Sequence, residues 1–383
     1  MRRADQGGSP LVDPAALLTK GIRPGLLVVL IGFFGYGGWL FTVALYLQSG
    51  LGLTAFTSGL VFTAYALGFG VSNLTWSRLP VPLLRRAPAT ALAVLAAASE
   101  AGVRFFDTAD VYGDGRSEQL IGRFLAANPD RDVLVATKLG RRAEQRPESY
   151  TLANFQAWTD RSRANLGVDA LDLLQLHCPP DPVFDSDQVF DALDSLVADQ
   201  RIRAYGVSVE TCDQALRAIA RPGVASVQII LNAFRQKPLE QVLPAAEQAG
   251  VAIIARVPLA SGLLSGRYTH DTTFPADDHR NYNRAGAAFD VGETFAGVDF
   301  DTGVAAAAEF SELAAPFGPP AAVALRWVLD QPGVSTVIPG ARTIEQARAN
   351  AAAADLDPLP AATRQQISDL YDRRIRPDVH QRW

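Results

Sequence analysis

One stretch of this chain carries no charge at all: between Pro24 and Ser77 there is no Asp, Glu, Lys or Arg. Lysine is scarce throughout, with three residues (Lys20, Lys138 and Lys237) among 35 basic ones. Cysteine is scarcer still. Cys178 and Cys212 cannot make a disulfide framework and do not sit in a zinc-ligand spacing, which points to a reducing compartment and to no metal. Nor is there a basic excess. A net charge of −5 excludes the electropositive footprint expected of a nucleic-acid partner.

The charge-free stretch contains two long apolar runs, "LLVVLIGFFGYGGWLFTVALYL" (26–47) and "TAFTSGLVFTAYALGFGVSNL" (54–74). Each is long enough to cross a bilayer as a helix, and the first is too long, with the wrong flanks, for a signal peptide. Arg2, Arg3, Lys20 and Arg23 precede the first run; Arg78, Arg85 and Arg86 follow the second. That distribution predicts a transmembrane hairpin over residues 1–87 with both ends in the cytoplasm. A buried core hairpin is the alternative. The stretch "FFGYGGWLFTVALYLQSGLGLTAFTSGLVFTAYALGFG" resembles a helix pair of major facilitator superfamily exporters. Two spans do not make the two-halved pathway of such a transporter, so the resemblance implies an anchor or a fusion remnant.

After Pro88 charges become frequent and β-branched runs alternate with Ala/Leu-rich helical periods, the pattern of βα units on a parallel sheet. Seven strands are expected, at 103–107, 132–138, 171–177, 203–208, 226–231, 251–257 and 334–339, with helices including 89–101, 117–127, 151–166, 188–199, 211–219 and 240–249. Polar residues gather at the strands' C-terminal ends: Asp107, Lys138, His177 and Ser208. In a (β/α)8 barrel those ends form the active face. A doubly wound sheet would need a glycine-rich phosphate loop after its first strand, and none is found.

Asp107, Tyr112, Lys138 and His177 together equip a site to protonate a carbonyl. A phenol is a poor acid near neutral pH unless its anion is stabilised. A lysine ammonium supplies that stabilisation, an aspartate holds the lysine, and a histidine orients the carbonyl oxygen. Singly, Asp107 reads equally well as a turn cap, Tyr112 as wall packing and His177 as a satisfied core histidine. Lys138, at the end of "VLVAT", is harder to assign to packing, because a charge there needs a partner.

"GVRFFDTADVYGDGRSEQLIG", "VLVATKLG" and "LDLLQLHCP" resemble the aspartate–tyrosine, lysine and histidine motifs of the aldo-keto reductases. The resemblance runs from about residue 89 to the end. It implies a TIM-type barrel and reduction of small aldehydes or ketones, with Tyr112 as acid, Lys138 and Asp107 as its tuning pair and His177 orienting the substrate. It also implies NADPH rather than NADH as cofactor. Ser208 and Gln228 correspond to the partners of the nicotinamide carboxamide, although Val209 stands where asparagine is usual. Arg256 takes the place of the aromatic that stacks on the nicotinamide, and Pro258, Leu259 and Ser261 lie on the segment running along the pyrophosphate. Gly340, Arg342, Gln346 and Asn350 correspond to the adenosine end, with Arg342 facing the 2′-phosphate.

The insertion 262–300 lacks clear periodicity and is expected to be a lid or a substrate-binding loop, with His279, Arg280 and Arg284 as candidates that read equally well as solvent-facing. The tail "YDRRIRPDVHQRW" is a second candidate for covering the active face. The family's first barrel strand has no counterpart: its place holds "NLTWSRLPVPLLRRAP", whose Pro80 and Pro82 oppose a central strand. The expectation is therefore a barrel lacking its usual first strand, closed by part of 74–87 or left open. Two readings follow. One is a membrane-anchored reductase with its catalytic domain in the cytoplasm, or a cytoplasmic one if the hairpin is not inserted. The other is a fusion or truncated remnant that binds nucleotide weakly or is inactive. No pattern sets an oligomeric state.

Overall fold

The computed structural model describes residues 81–383, except 277 and 289, together with 46, 47, 51, 53, 54 and 57. The two expected membrane spans fall almost wholly outside the described residues. Among the described residues no helix is long and apolar enough to cross a membrane.

From Val81 the described residues run through helix α1 (Val81–Glu100), β1 (Phe105–Asp107), α2 (Arg116–Ala127), β2 (Leu134–Leu139), α3 (Leu152–Leu166), β3 (Leu173–His177), α4 (Asp187–Ala198) and β4 (Tyr205–Ser208). It continues with α5 (Cys212–Ile219), β5 (Val224–Ile230), α6 (Pro238–Ala249), β6 (Ala252–Arg256), α7 (Phe300–Ala314), α8 (Pro320–Leu329), β7 (Val334–Val337), α9 (Ile344–Ala352) and α10 (Ala361–Arg374). All seven strands are parallel and lie in sequence order. Strands such as "LLQLH" and "VASVQII" are apolar on both faces because helices cover one face and the sheet curls over the other. The helices start and stop where local chemistry requires. Thr151 caps α3 by accepting from the Asn154 amide, a Thr211–Gln214 capping box opens α5, and α3 and α6 end on Gly167 and Gly250, both left-handed.

The start of the first helix differs most from the sequence reading. Proline favours a helix start, yet Pro88 lies inside α1, which begins at Val81 and is carried past the proline by the alanine-rich run after it. Residues 81–87 are therefore helical and unavailable as a replacement strand. Accordingly β1 and β7 do not pair, and the sheet stays open between them among the described residues. A cleft of about 1330 Å³ lies along this seam. Its walls include Leu95 of α1, Phe105 and Asp107 of β1, Leu325 of α8 and Thr336 of β7.

The core sits between sheet and helices, with Phe155, Leu174, Phe234, Phe310 and Trp327 almost wholly buried. Each such side chain contributes roughly 1.5–3 kcal/mol on burial. At one point the strands approach too closely for a side chain: a Cβ on Gly206 would collide with Ser226 on β5. The insertion 262–300 has its own small core, in which Tyr268, Phe274, Phe295 and Phe300 meet at ring separations of 5.0–6.5 Å.

Candidate active site

Strand register brings the polar ends together. Asp107 lies level with Ala136 of β2, Lys138 with Gln175 of β3, His177 with Ser208 of β4, and Ser208 with Gln228 of β5. Parallel pairing at these offsets leaves four functional side chains at one end of the sheet. Asp107, His177 and Ser208 are the last residues of their strands and Lys138 the last but one, so the parallel pairing sets them at the same end.

Lys138 is the centre of the group. Its side chain is 2 % exposed and that of Asp107 10 %, and the Lys138 ammonium pairs with Asp107 Oδ2 and donates to the Thr108 carbonyl at 2.9 Å. A buried ammonium is tolerable on these terms, with its charge matched and its protons accepted. The ammonium also lies 5.4 Å from the centroid of the Tyr112 ring. Tyr112 meets His177 edge-on, with centroids 5.8 Å apart and planes at 85°. Tyr112 is 44 % exposed and His177 5 %.

The two rings therefore differ in their access to solvent. Burial, reinforced by the charges of Arg141, Lys138 and Arg256, holds His177 well below the usual imidazole range. The ring is neutral at physiological pH, and among the described residues its Nδ1 has no partner. It can orient a carbonyl oxygen but has no extra proton to give. Tyr112 has the neighbouring cation and the access to solvent.

The expected cofactor residues divide into two groups. Ser208 and Gln228 are buried and joined, Ser208 Oγ donating to Gln228 Oε1 at 3.3 Å; Gln228 Nε2 in turn donates to Asp107 Oδ1 at 2.8 Å. Arg256 is buried at the end of β6. Its guanidinium donates to the Val209 carbonyl at 3.0 Å and pairs with Glu210 at 2.8 Å and Glu293 at 3.2 Å. The flat guanidinium is thus fixed in place by two carboxylates. Pro258 is buried and Leu259 half-buried on the turn that follows. Val257, at φ +54°, is a β-branched residue in the left-handed region, backbone strain of the kind that collects at functional sites. The Ser261 hydroxyl is engaged by the lid, donating to the Glu293 carbonyl at 2.9 Å and accepting from the Phe295 amide at 3.2 Å.

At the other end of the site, Gln346 accepts from the Arg342 amide at 2.8 Å and Asn350 donates to the Gly340 carbonyl at 3.1 Å, which shapes the turn before α9. The Arg342 side chain is exposed. The seam cleft is lined by Asp107 and Tyr112, and by Gly340, Arg342 and Asn350 of this turn.

Of the lid candidates, Arg280 pairs with Asp278 and lies 4.6 Å from the Phe274 ring centroid, and Arg284 lies 4.9 Å from that of Phe300. Both hold the lid's own core together. Burial pushes His279 down, and the charges of Arg280 and Arg342 act in the same direction. The tail packs on the insertion 262–300: the Trp383 indole donates to Asp290 at 3.1 Å and lies 3.9 Å from the Arg235 guanidinium.

The sequence reading missed a buried charge cluster beside His177. Arg141 and Arg256 face Glu210 and Glu293, and the Cys178 thiol lies among them. Burial acts against the Glu210 anion, but Arg256, the Cys178 thiol and Arg141 outweigh it and hold the carboxyl below the usual range. Glu293 is pushed up by burial, with Glu210 adding to the shift. Cys178, Glu210 and Glu293 place potential ligand atoms within 4.8 Å of one another. Two arginines already neutralise the carboxylates, and burial pushes the thiol up to about 12, so this donor set does not suit a cation. The only sequence signal for this cluster was Glu210 itself, directly after "GVSV".

The family model described as "Aldo/keto reductase family" matches residues 66–372. The match begins inside the second expected membrane span and ahead of the expected boundary at 88. Among individual proteins, the chain is 31 % identical over 260 residues to aldo-keto reductase YhdN of Bacillus subtilis, covering 66 % of this chain and 75 % of that one. The glycerol dehydrogenase AKR11B4 of Gluconobacter oxydans superposes with a TM-score of 0.61 at 30 % identity, over 74 % of this chain and 85 % of that one. An aldo-keto reductase of Klebsiella pneumoniae in complex with NADPH superposes with a TM-score of 0.53 at 26 % identity, over 75 % and 86 %. Matched in sequence over most of its length and in fold over three quarters of it, the chain belongs to the aldo/keto reductase family.

Proposed function

We propose that the chain reduces small aldehydes or ketones to alcohols with NADPH, Tyr112 donating the proton. The observation that carries this reading is the Lys138 ammonium, buried against Asp107 and set beside a solvent-accessible Tyr112 ring, with His177 neutral next to it. Bound NADPH would supply a hydride to the carbonyl carbon. Tyr112 passes its hydroxyl proton to the carbonyl oxygen, the Lys138 ammonium stabilises the phenolate left behind, and solvent restores the proton. The neutral His177 ring offers an N–H to the same oxygen. Nothing else is consumed, and the products are the alcohol and the oxidised cofactor.

The Klebsiella relative, described in complex with NADPH, supports the cofactor assignment. So does the exposed Arg342 on a cleft that Asp107 and Tyr112 also line. Ser208 and Gln228 would hold the carboxamide, Arg256, Pro258 and Leu259 would line the nicotinamide end, and Gly340, Arg342, Gln346 and Asn350 the adenosine end. Ser261 belongs with them only if it exchanges its lid contacts for a phosphate. Membrane attachment through residues 24–77 rests on the sequence alone.

The test is NADPH oxidation by the full-length chain with a reactive aromatic aldehyde, beside Tyr112→Phe. The reading expects turnover that falls about 10²–10⁴-fold in the variant; turnover unchanged in the variant would remove Tyr112 from the chemistry. The open seam between β1 and β7 favours one second reading, a remnant that binds nucleotide without turning over. A single sharp unfolding transition raised by NADPH, together with turnover, would end it.

A further inference from the structure

The hydrogen bonds around Asp107 assign a role to a residue that the tetrad does not include. Asp107 Oδ1 accepts from two amides, Gln228 Nε2 at 2.8 Å and Gln175 Nε2 at 3.2 Å, while Oδ2 pairs with Lys138. Three donors from β2, β3 and β5 therefore converge on one carboxylate. Orientation of the Gln175 amide follows from the same contact, since its oxygen turned toward Oδ1 would face a carboxylate oxygen without a proton between them.

Gln175 is unusual for its place. It is fully buried on β3 between Leu174 and Leu176, and among the described residues its Oε1 has no partner. A buried acceptor left unsatisfied costs stability that a methionine of similar shape would not. An amide kept at such a cost, with its one bond made to the carboxylate that holds the catalytic lysine, points to function rather than packing. Gln228 does not make it redundant. Under the reductase reading Gln228 also serves the nicotinamide carboxamide, and among the described residues Asp107 is the sole hydrogen-bond partner of the Gln175 amide.

We propose that Gln175 is a positioning residue: it fixes the Asp107 carboxylate so that the Lys138 ammonium stays beside Tyr112. This rests on the reductase reading, but one of its consequences is visible without turnover.

The test uses the full-length chain with Gln175→Met, which keeps the volume, and Gln175→Asn, which keeps an amide one methylene short of Asp107. Gln175→Met is expected to lower kcat about tenfold or more, as loss of a bond to a charged group predicts. KM for NADPH should stay within about twofold, and Tm should equal or exceed that of the parent. Gln175→Asn should lose kcat similarly, and the alkaline limb of the kcat–pH profile should move in both variants. With three lysines in the chain, ¹⁵N-lysine labelling resolves the Lys138 ammonium, identified by its loss in Lys138→Met. Hydrogen exchange at that signal should quicken about tenfold in Gln175→Met. Parental kcat and exchange in Gln175→Met would overturn the proposal, as would a fall in Tm with exchange unchanged. If the parent chain turns over no carbonyl, the reductase reading fails, while the exchange measurement still decides whether Gln175 holds the Asp107–Lys138 pair.

Discussion

Replacing Lys138 by methionine removes the cation from the most buried ion pair of the site. Lys138 is 2 % exposed and Asp107 10 %, so Asp107 would be left as an uncompensated charge away from water. Breaking a buried pair from one side costs about 3–5 kcal/mol. Gln175 and Gln228 still donate to Asp107 Oδ1, which places the loss at the lower end, about 3 kcal/mol. Urea unfolding of the full-length chain measures it as a lower midpoint at unchanged slope. The double variant Lys138→Met with Asp107→Asn should recover at least half of the loss, because no unpaired charge remains. Neither variant should reduce a carbonyl. Recovery of stability without recovery of turnover separates the pair's structural cost from its chemical use. A Lys138→Met protein as stable as its parent would refute the burial argument, and one that still turned over would refute the role of the ammonium.

Other consequences are as direct. Arg342→Ala should weaken NADPH binding about 10–100-fold and leave NADH binding unchanged, the loss of one charged contact to a 2′-phosphate; equal losses for both cofactors in a calorimetric titration would remove that contact. Burial, with a smaller push from Glu118, raises Asp110 to about 6 against the opposing charge of Arg161. A raised folded-state value means its contribution is complete below about 3.9 and is lost as pH rises through 6. Asp110→Asn should therefore stabilise the protein by at most about 3 kcal/mol at pH 8 and by almost nothing at pH 4, seen in Tm against pH. Trp383→Ala should cost about 3–5 kcal/mol of local stability and expose 262–300 to limited proteolysis; unchanged cleavage there would show that the tail does not hold the lid.

The strands and their polar ends were legible because short β-branched runs alternate with helical periods, and because a lysine in "VLVAT" has no cheap packing explanation. All seven expected strands are present, each within a few residues of its expected ends. The position of α1 was not legible. Pro88 marks a helix start by local preference, yet alanine-rich chain on one side carries the helix through it. The charge cluster was hidden for another reason. Arg141, Glu210, Arg256 and Glu293 come from four separate segments, and only the fold makes them neighbours. Arg256 was expected as a flat surface for a ring; that two carboxylates would fix it was not readable from "IARVPLASG". The roles of Arg280 and Arg284 were likewise invisible, since aromatic partners such as Phe274 and Phe300 lie up to 16 residues away in an aperiodic loop.

The central claim is that hydride arrives at a carbonyl carbon while Tyr112 protonates its oxygen. The most direct measurement is label transfer from NADPH deuterated at the nicotinamide C4, with an aromatic aldehyde, for the parent chain and Tyr112→Phe. The account predicts alcohol carrying one deuterium at the former carbonyl carbon from the parent, and almost none from Tyr112→Phe although it still binds NADPH. Alcohol without deuterium, or equal label from both proteins, would contradict it.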